Sequence, residues 1–138
     1  MNTKICTSVE QSKKLLELGL DDNTADMYYP LYEGIVDPPQ IGFGYLEAKK
    51  LYIPAWSLSA LFELMPSEFV VEGKYGTYIY EIHIRKYKFT KDVDLHQITY
   101  GRYGDSGSWH DMINTPEKEN LIDAVFEMIC WLLKNKKI

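Results

Sequence analysis

The residues able to do chemistry are few, and they cluster in the second half of the chain. His83 and His96 are accompanied by Glu81, and two imidazoles with a carboxylate hold a metal when neighbouring strands bring them together. Opposed polar side chains are commonplace across strands, so this set alone does not assign a metal site. Ser106, His110 and Asp111 contain the types of a nucleophile, a base and an orienting carboxylate. Residues so close in one loop rarely reach the geometry those roles require, and Asp111 is better read as helping to turn the chain. Trp109 and His110 stand beside glycines in what reads as a loop, where an indole is a ready contact for a ligand or partner.

Ser106 lies in Gly104-Asp105-Ser106-Gly107-Ser108, similar to the sequence around the nucleophile of trypsin-like proteases. That chemistry needs a histidine base, a buried aspartate behind it and an oxyanion hole on a rigid scaffold. His83 and His96 lack the small-residue context of that family, the fifth position is Ser108 rather than glycine, and 138 residues are too few for two six-stranded barrels. Gly, Asp and Ser are turn formers, and a turn is the reading adopted. GxxxxGK[ST], GxGxxG and HExxH are absent, and Gly42-Phe43-Gly44 lacks the strand-to-helix context of a phosphate loop. No catalytic residue, metal or cofactor is assigned.

The elements that must position these residues are clearest at the C-terminus. From Thr115 to Lys137 the chain reads as one helix, with Thr115 as N-cap, Pro116 at the first helical position and Glu117 and the terminal lysines complementing the dipole. Leu121, Ile122, Val125, Phe126, Met128, Ile129, Leu132 and Leu133 fall in an arc of roughly 160°, broad enough to lie on a sheet. Trp131 projects about 60° outside that arc, beside Glu127 and Lys134, and is a spare aromatic available to a partner. Cys130 lies opposite the centre of the arc.

Upstream, Thr7 with Glu10 or Ser8 with Gln11 makes a capping box for a short helix closed by Gly19. The stretch 21–44 carries no sustained period, and either extended pieces such as Met27–Leu31 or a functional or mobile loop is expected in it. Asp21, Asp22 and Asp26 lack the glycine and distal glutamate of a calcium loop. Ser57 caps a second helix, with Trp56 and Leu61 placed for a hydrophobic staple and Pro66 ending it; Pro54 as first helical residue would lengthen it by one turn. Phe69–Glu72 and Thr77–Ile84 flank Gly73–Gly76 as a hairpin, with Tyr78, Tyr80, Ile82 and Ile84 on one face. Tyr87 and Phe89 have the opposite parity, which implies a bulge or break near Arg85–Lys86. A further strand, Leu95–Tyr103, precedes a loop at Gly104–Asn114. The expected fold is α+β: a single domain over 1–138, with an antiparallel sheet of three or more strands, helices packed on one face and the long C-terminal helix across it.

The formal charge of −5 disfavours nucleic acid as a partner, since no basic cluster outside the C-terminal lysines offsets it. Cys6 and Cys130 form neither a disulfide framework nor a zinc pair and read as reduced thiols. The first residues hold no apolar signal segment, and the longest apolar run, Met128–Leu133, is far short of the ~20 residues of a membrane span. A cytoplasmic protein without membrane association is the expectation. Aromatic residues make up 14% of the chain, eleven of them tyrosine, a content that suits strands and interfaces alike.

TKICTSVEQSKKLLELGL, IPAWSLSALFELMP and the closing LIDAVFEMICWLLKNKK together resemble a family of small uncharacterised proteins of Bacteroides-type gut bacteria, their phages and mobile elements. The resemblance implies accessory cargo of such an element in a host cytoplasm, and it brings no catalytic or binding residue with it. The reading is a non-catalytic interaction protein that binds a protein partner or self-associates, with Trp109, His110 and Trp131 as contact residues. A small-ligand or nucleotide binder, conceivably an enzyme, with its site near 104–111 is the alternative. The turn reading makes Ser106 inert: a fluorophosphonate probe should leave it unlabelled, and stoichiometric labelling abolished by Ser106→Ala would overturn that reading.

Overall fold

The computed structural model describes residues 4–42 and 52–138. The chain forms two compact units, Met1–Leu64 and Met65–Ile138. Phe43 and Gly44, part of the glycine stretch considered above, lie outside the described residues. Helices and antiparallel sheets are mixed as an α+β fold, with the C-terminal helix packed on a sheet.

In the first unit, helix α1 (Val9–Glu17) opens on Ser8. The Ser8 Oγ accepts from the Gln11 N–H, and the Gln11 side chain accepts from the Ser8 N–H, so the second of the two capping boxes forms. Gly19 then takes φ 96°, which costs glycine nothing. This turn lets the Leu20 N–H reach the Leu15 carbonyl and the Gly19 N–H reach Leu16, the paired bonds of a Schellman ending. Asp21 caps a single 3-10 turn, Asp22–Thr24.

The stretch that carried no period is built from short strands: β1 (Met27–Tyr32), β2 (Ile35–Val36) and β3 (Gln40–Ile41). Both β2 and β3 pair antiparallel with β1, and β4 (Tyr52–Ala55) pairs with it from Met27↔Ala55 to Pro30↔Tyr52. Pro54 therefore belongs to a strand and not to the following helix, α2 (Leu58–Leu64). Ser57 is its cap, with Oγ accepting from the Ala60 N–H, and both staple residues, Trp56 and Leu61, are fully buried. Asp26 holds this corner, accepting from the Ser57 N–H at 2.8 Å and from the Ser57 hydroxyl.

Thr7, freed from capping α1, ties the unit together. Its N–H donates to the Trp56 carbonyl, its Oγ1 accepts from the Trp56 N–H at 3.1 Å and shares a hydrogen bond with the Ser12 hydroxyl, and its carbonyl accepts from the Tyr29 hydroxyl. Thr7, Ser12 and Trp56 are all wholly buried, so each of these polar groups depends on another protein group for a partner. Cys6, Met27 and Ala55 form a small core beside them, with Tyr29 packed on it. Burial raises the Cys6 thiol pKa, which the Tyr29 hydroxyl and Lys4 only partly offset.

The second unit is a four-stranded antiparallel meander in the order β5 (Glu68–Gly73), β6 (Gly76–Lys88), β7 (Asp94–Tyr103), β8 (Trp109–Asn114), followed by helix α3 (Leu121–Lys134). Tyr80, Ile98 and Tyr100 lie on one face and are buried. The Phe69 ring sits on that face, 4.7 Å from the Tyr100 ring and 6.1 Å from the Trp131 indole of α3. The Tyr100 hydroxyl donates to the Pro66 carbonyl at 2.6 Å, and burial pushes its pKa up.

Three expectations are corrected here. Strand β6 runs in unbroken register to Lys88↔Asp94, with no bulge at Arg85–Lys86; Tyr87 and Leu95 form an apolar pair on the far face instead. The irregularity lies between Tyr100 and Gly101, where Met112 is the extra residue of β8. The loop expected at Gly104–Asn114 is a turn followed by β8, whose residues from Trp109 to Asn114 pair antiparallel with β7. Helix α3 begins at Leu121 rather than near Thr115, since 115–119 continues alongside β7: the Thr115 N–H bonds the Ile98 carbonyl, its hydroxyl accepts from the Ile98 N–H, and Lys118 bridges His96.

Cys130 is buried rather than exposed, and neither cysteine is in a disulfide. The Thr7 network is the test of this description. Thr7→Val should leave the buried Trp56 N–H without its side-chain acceptor and cost about 1–3 kcal/mol in urea unfolding, while Thr7→Ser should cost roughly 1 kcal/mol or less. Equal losses for the two would show that the hydroxyl is not the stabilising group.

Candidate functional site

Strand alternation sorts the second unit's sheet into two faces. On the face opposite Tyr80, Ile98 and Tyr100, the register sets Glu68 against Glu81, Glu81 against Gly101, and Gly101 against Asp111. His83 pairs with Thr99 and Tyr103 with Trp109 on this face. Val70, Ile79 and Arg85 share it.

Gly101 decides what this face looks like. A Cβ there would come within 2.7 Å of the Trp109 ring, so the indole of β8 crosses β7 only because this residue has no side chain. The indole reaches the His83 imidazole of β6, and the two rings stack with centroids 3.6 Å apart and planes 5° from parallel. Tyr103 meets the indole edge to face at 5.1 Å. Three aromatic rings from three adjacent strands are thereby held in one cluster.

The polar end of the indole is fixed as well. Trp109 Nε1 donates to Asp111 Oδ1 at 2.5 Å, and Arg85 grips both oxygens of the same carboxylate at 2.7 Å each, the planar two-point geometry that only arginine provides. Burial raises the Asp111 pKa, but the hydrogen bonds from Trp109 and Arg85, with the nearby positive charges, outweigh it and hold the carboxyl below its ordinary range. The indole thus has its orientation set by a stack on one side and by a clamped carboxylate at its N–H. Such pre-ordering lowers the entropy lost when a partner is bound.

Beneath the stack lies an oddity. Thr99 is fully buried, and its hydroxyl has no hydrogen-bond partner.

The residues singled out from sequence are dispersed. Trp109, at the start of the edge strand β8, is half-buried with its indole on this face. His110, the next residue of β8, points to the other face and lies over the turn, close enough that a Cβ on Gly104 would come within 2.9 Å of its Nε2. Trp131 is on α3, half-buried against Phe69, so it takes part in packing the helix on the sheet and is not a spare aromatic. With Ile113, Thr115, Met128, Glu127 and Lys134 it lines a cleft of about 190 Å³. Trp109 and Trp131 therefore mark separate surfaces on opposite sides of one sheet.

The combinations considered for catalysis or metal binding do not assemble. His83 pairs with Thr99 and His96 with Lys86, which puts the two histidines on opposite faces. His96 instead bonds the Glu119 carbonyl. Ser106 shares a hydrogen bond with Ser108 inside a turn closed by Gly104 N–H to Ser108 carbonyl and Gly107 N–H to Gly104 carbonyl. His110 and Asp111 diverge to opposite faces. Among the described residues no three His, Cys, Asp or Glu side chains are grouped as metal ligands, and no helix is long and apolar enough to cross a membrane.

Arg85, Gly101 and Tyr103 were not singled out from sequence, and His83 was considered there only as a metal ligand or a histidine base. The odd parity of Glu81, His83 and Arg85 was visible, but linking it to Trp109 required knowing that WHDMIN pairs with β7. No protein-family model, curated protein or solved structure matches the chain.

The lowered Asp111 pKa carries a signed prediction. A depressed carboxylate stabilises the fold above its unfolded pKa, near 3.9, and the contribution is lost as pH falls through the lower folded value. The melting-temperature difference between the native chain and Asp111→Asn should be present at pH 6, begin to shrink below about pH 4 and vanish at the acid limit. A difference that persists unchanged to the lowest pH at which the chain is folded would show that the carboxylate charge is not what holds the indole.

Proposed function

We propose that this chain is a non-catalytic interaction protein and that a protein partner binds the open face of the β5–β8 sheet, centred on Trp109. One observation carries the reading: an indole fixed on three sides stands among apolar side chains left in solvent, with Val70, Ile79 and Tyr103 each at least 50% exposed. Tryptophan, tyrosine and arginine are the side chains that most often dominate interface energy, and all three meet here. A sheet whose other face already carries α3 has no need of a second apolar surface for its own folding.

The turn at Gly104–Ser108 spends its polar groups on its own hydrogen bonds, which favours this reading over a small-ligand site there. The setting proposed with it, accessory cargo of a phage or integrated element in a host cytoplasm, rests on the sequence resemblance.

A photo-crosslinking amino acid placed at Ile79 tests the proposal in cells that naturally carry the protein. One dominant protein adduct is expected from position 79 and none from the same group at Lys91, on the β6–β7 turn. Equal, diffuse crosslinking from both positions would contradict a specific contact on this face.

A further inference from the structure

The charges on the same face say what kind of partner fits it. Glu68 and Glu81 are directly opposed across β5 and β6, and both are exposed. Like charges in directly opposite positions destabilise a strand pair, so the free chain carries a cost here without any structural return. Glu72 stands four residues further along β5 than Glu68, on the same side. Among the described residues no cation lies within ion-pair distance of any of these three carboxylates, whereas Asp111 on the same face holds Arg85 in a two-point bridge.

The apolar residues interleave with these acids. Val70 lies between Glu68 and Glu72 on β5, and Ile79 lies two residues before Glu81 on β6. An aliphatic strip bordered by carboxylates matches one class of side chain especially well, a long apolar stem ending in a cation. The Tyr103 and Trp109 rings alongside add the π-faces over which such a head group is attracted.

We infer that the partner presents lysine or arginine side chains to this face, their stems on Val70, Ile79 and Tyr103 and their charged ends on Glu68 and Glu81. The inference rests on the open face being the contact surface and adds the chemistry of what docks there. The occupant is a basic protein segment. Its cations relieve the repulsion between Glu68 and Glu81, so the same two residues that weaken the free chain strengthen the complex.

The test is a random dodecapeptide phage library selected on the immobilised full-length chain, read beside the Glu68→Gln/Glu81→Gln double variant. Both positions are exposed, so the variant should fold, and far-ultraviolet circular dichroism checks that it does. Enriched peptides should carry at least about twofold more Lys and Arg than the starting library. A synthetic enriched peptide should bind the double variant at least about fivefold more weakly and lose affinity with added salt. The free double variant should melt about 1–3 °C higher than the native chain, a shift in the opposite direction from its binding defect.

Enriched peptides of neutral or acidic composition whose binding is lost with Ile79→Asp would leave the contact face in place and overturn the cationic partner. Binding unchanged in the double variant, or a lower melting temperature for it, would also overturn the inference. So would spermine bound as tightly as the peptides, since the occupant would then be a small polycation. Absence of any enriched peptide would overturn it as well, while a position-79 adduct would still support the contact face.

Discussion

The second unit's open face depends on one missing side chain. Gly101 is buried near the C-terminal end of β7, and the Trp109 indole occupies the space above it. A methyl group there would press on both the indole and the β8 backbone at His110. Without that passage Trp109 could not cross a strand to stack on His83, its N–H would leave Asp111, and Arg85 would grip a carboxylate that oriented nothing. The bulge beside it follows the same logic. One extra residue at Met112 lets β8 keep Ile113 against Tyr100 while it turns Asp111 toward Arg85.

The contrast between the two faces follows from what each has to bury. The Tyr80–Ile98–Tyr100 face carries α3, and the Tyr100 hydroxyl there donates to the Pro66 carbonyl. The other face has a well-ordered aromatic centre and an ill-matched acidic border. Sheets with one wet face are ordinary, but they usually alternate charges of both signs across strands. Opposed glutamates beside exposed Val70 and Ile79 instead give up a little stability, as expected of a surface used for contact.

Local signals were legible wherever a single turn of chain decides the structure. Ser8 with Gln11, Gly19 with Leu20, and the Trp56–Ser57–Leu61 entrance were readable because caps and staples need only neighbours in sequence. The α+β class and the C-terminal helix on the sheet followed from period alone. The start of that helix did not. Thr115 and Pro116 are good helix-initiating residues, yet the two-way bond between Thr115 and Ile98 holds them to β7, a tertiary competitor that propensity cannot reveal. The site was half legible for the same reason. Trp109 could be marked as a contact residue from its type and surroundings, but its partners His83 and Arg85 lie two strands away and depend on a register that the glycine-rich turn at 104–108 sets.

The central claim is that an ordered indole lies on a sheet face left open to solvent. Nuclear magnetic resonance of the full chain, with a soluble paramagnetic agent, reads both halves of that claim at once. The account predicts nuclear Overhauser contacts from the Trp109 ring to Gly101 and to His83, together with strong broadening of the Val70 and Ile79 methyl signals by the agent. Val70 and Ile79 signals as protected as those of Ile98, or a Trp109 ring without contact to Gly101, would contradict it.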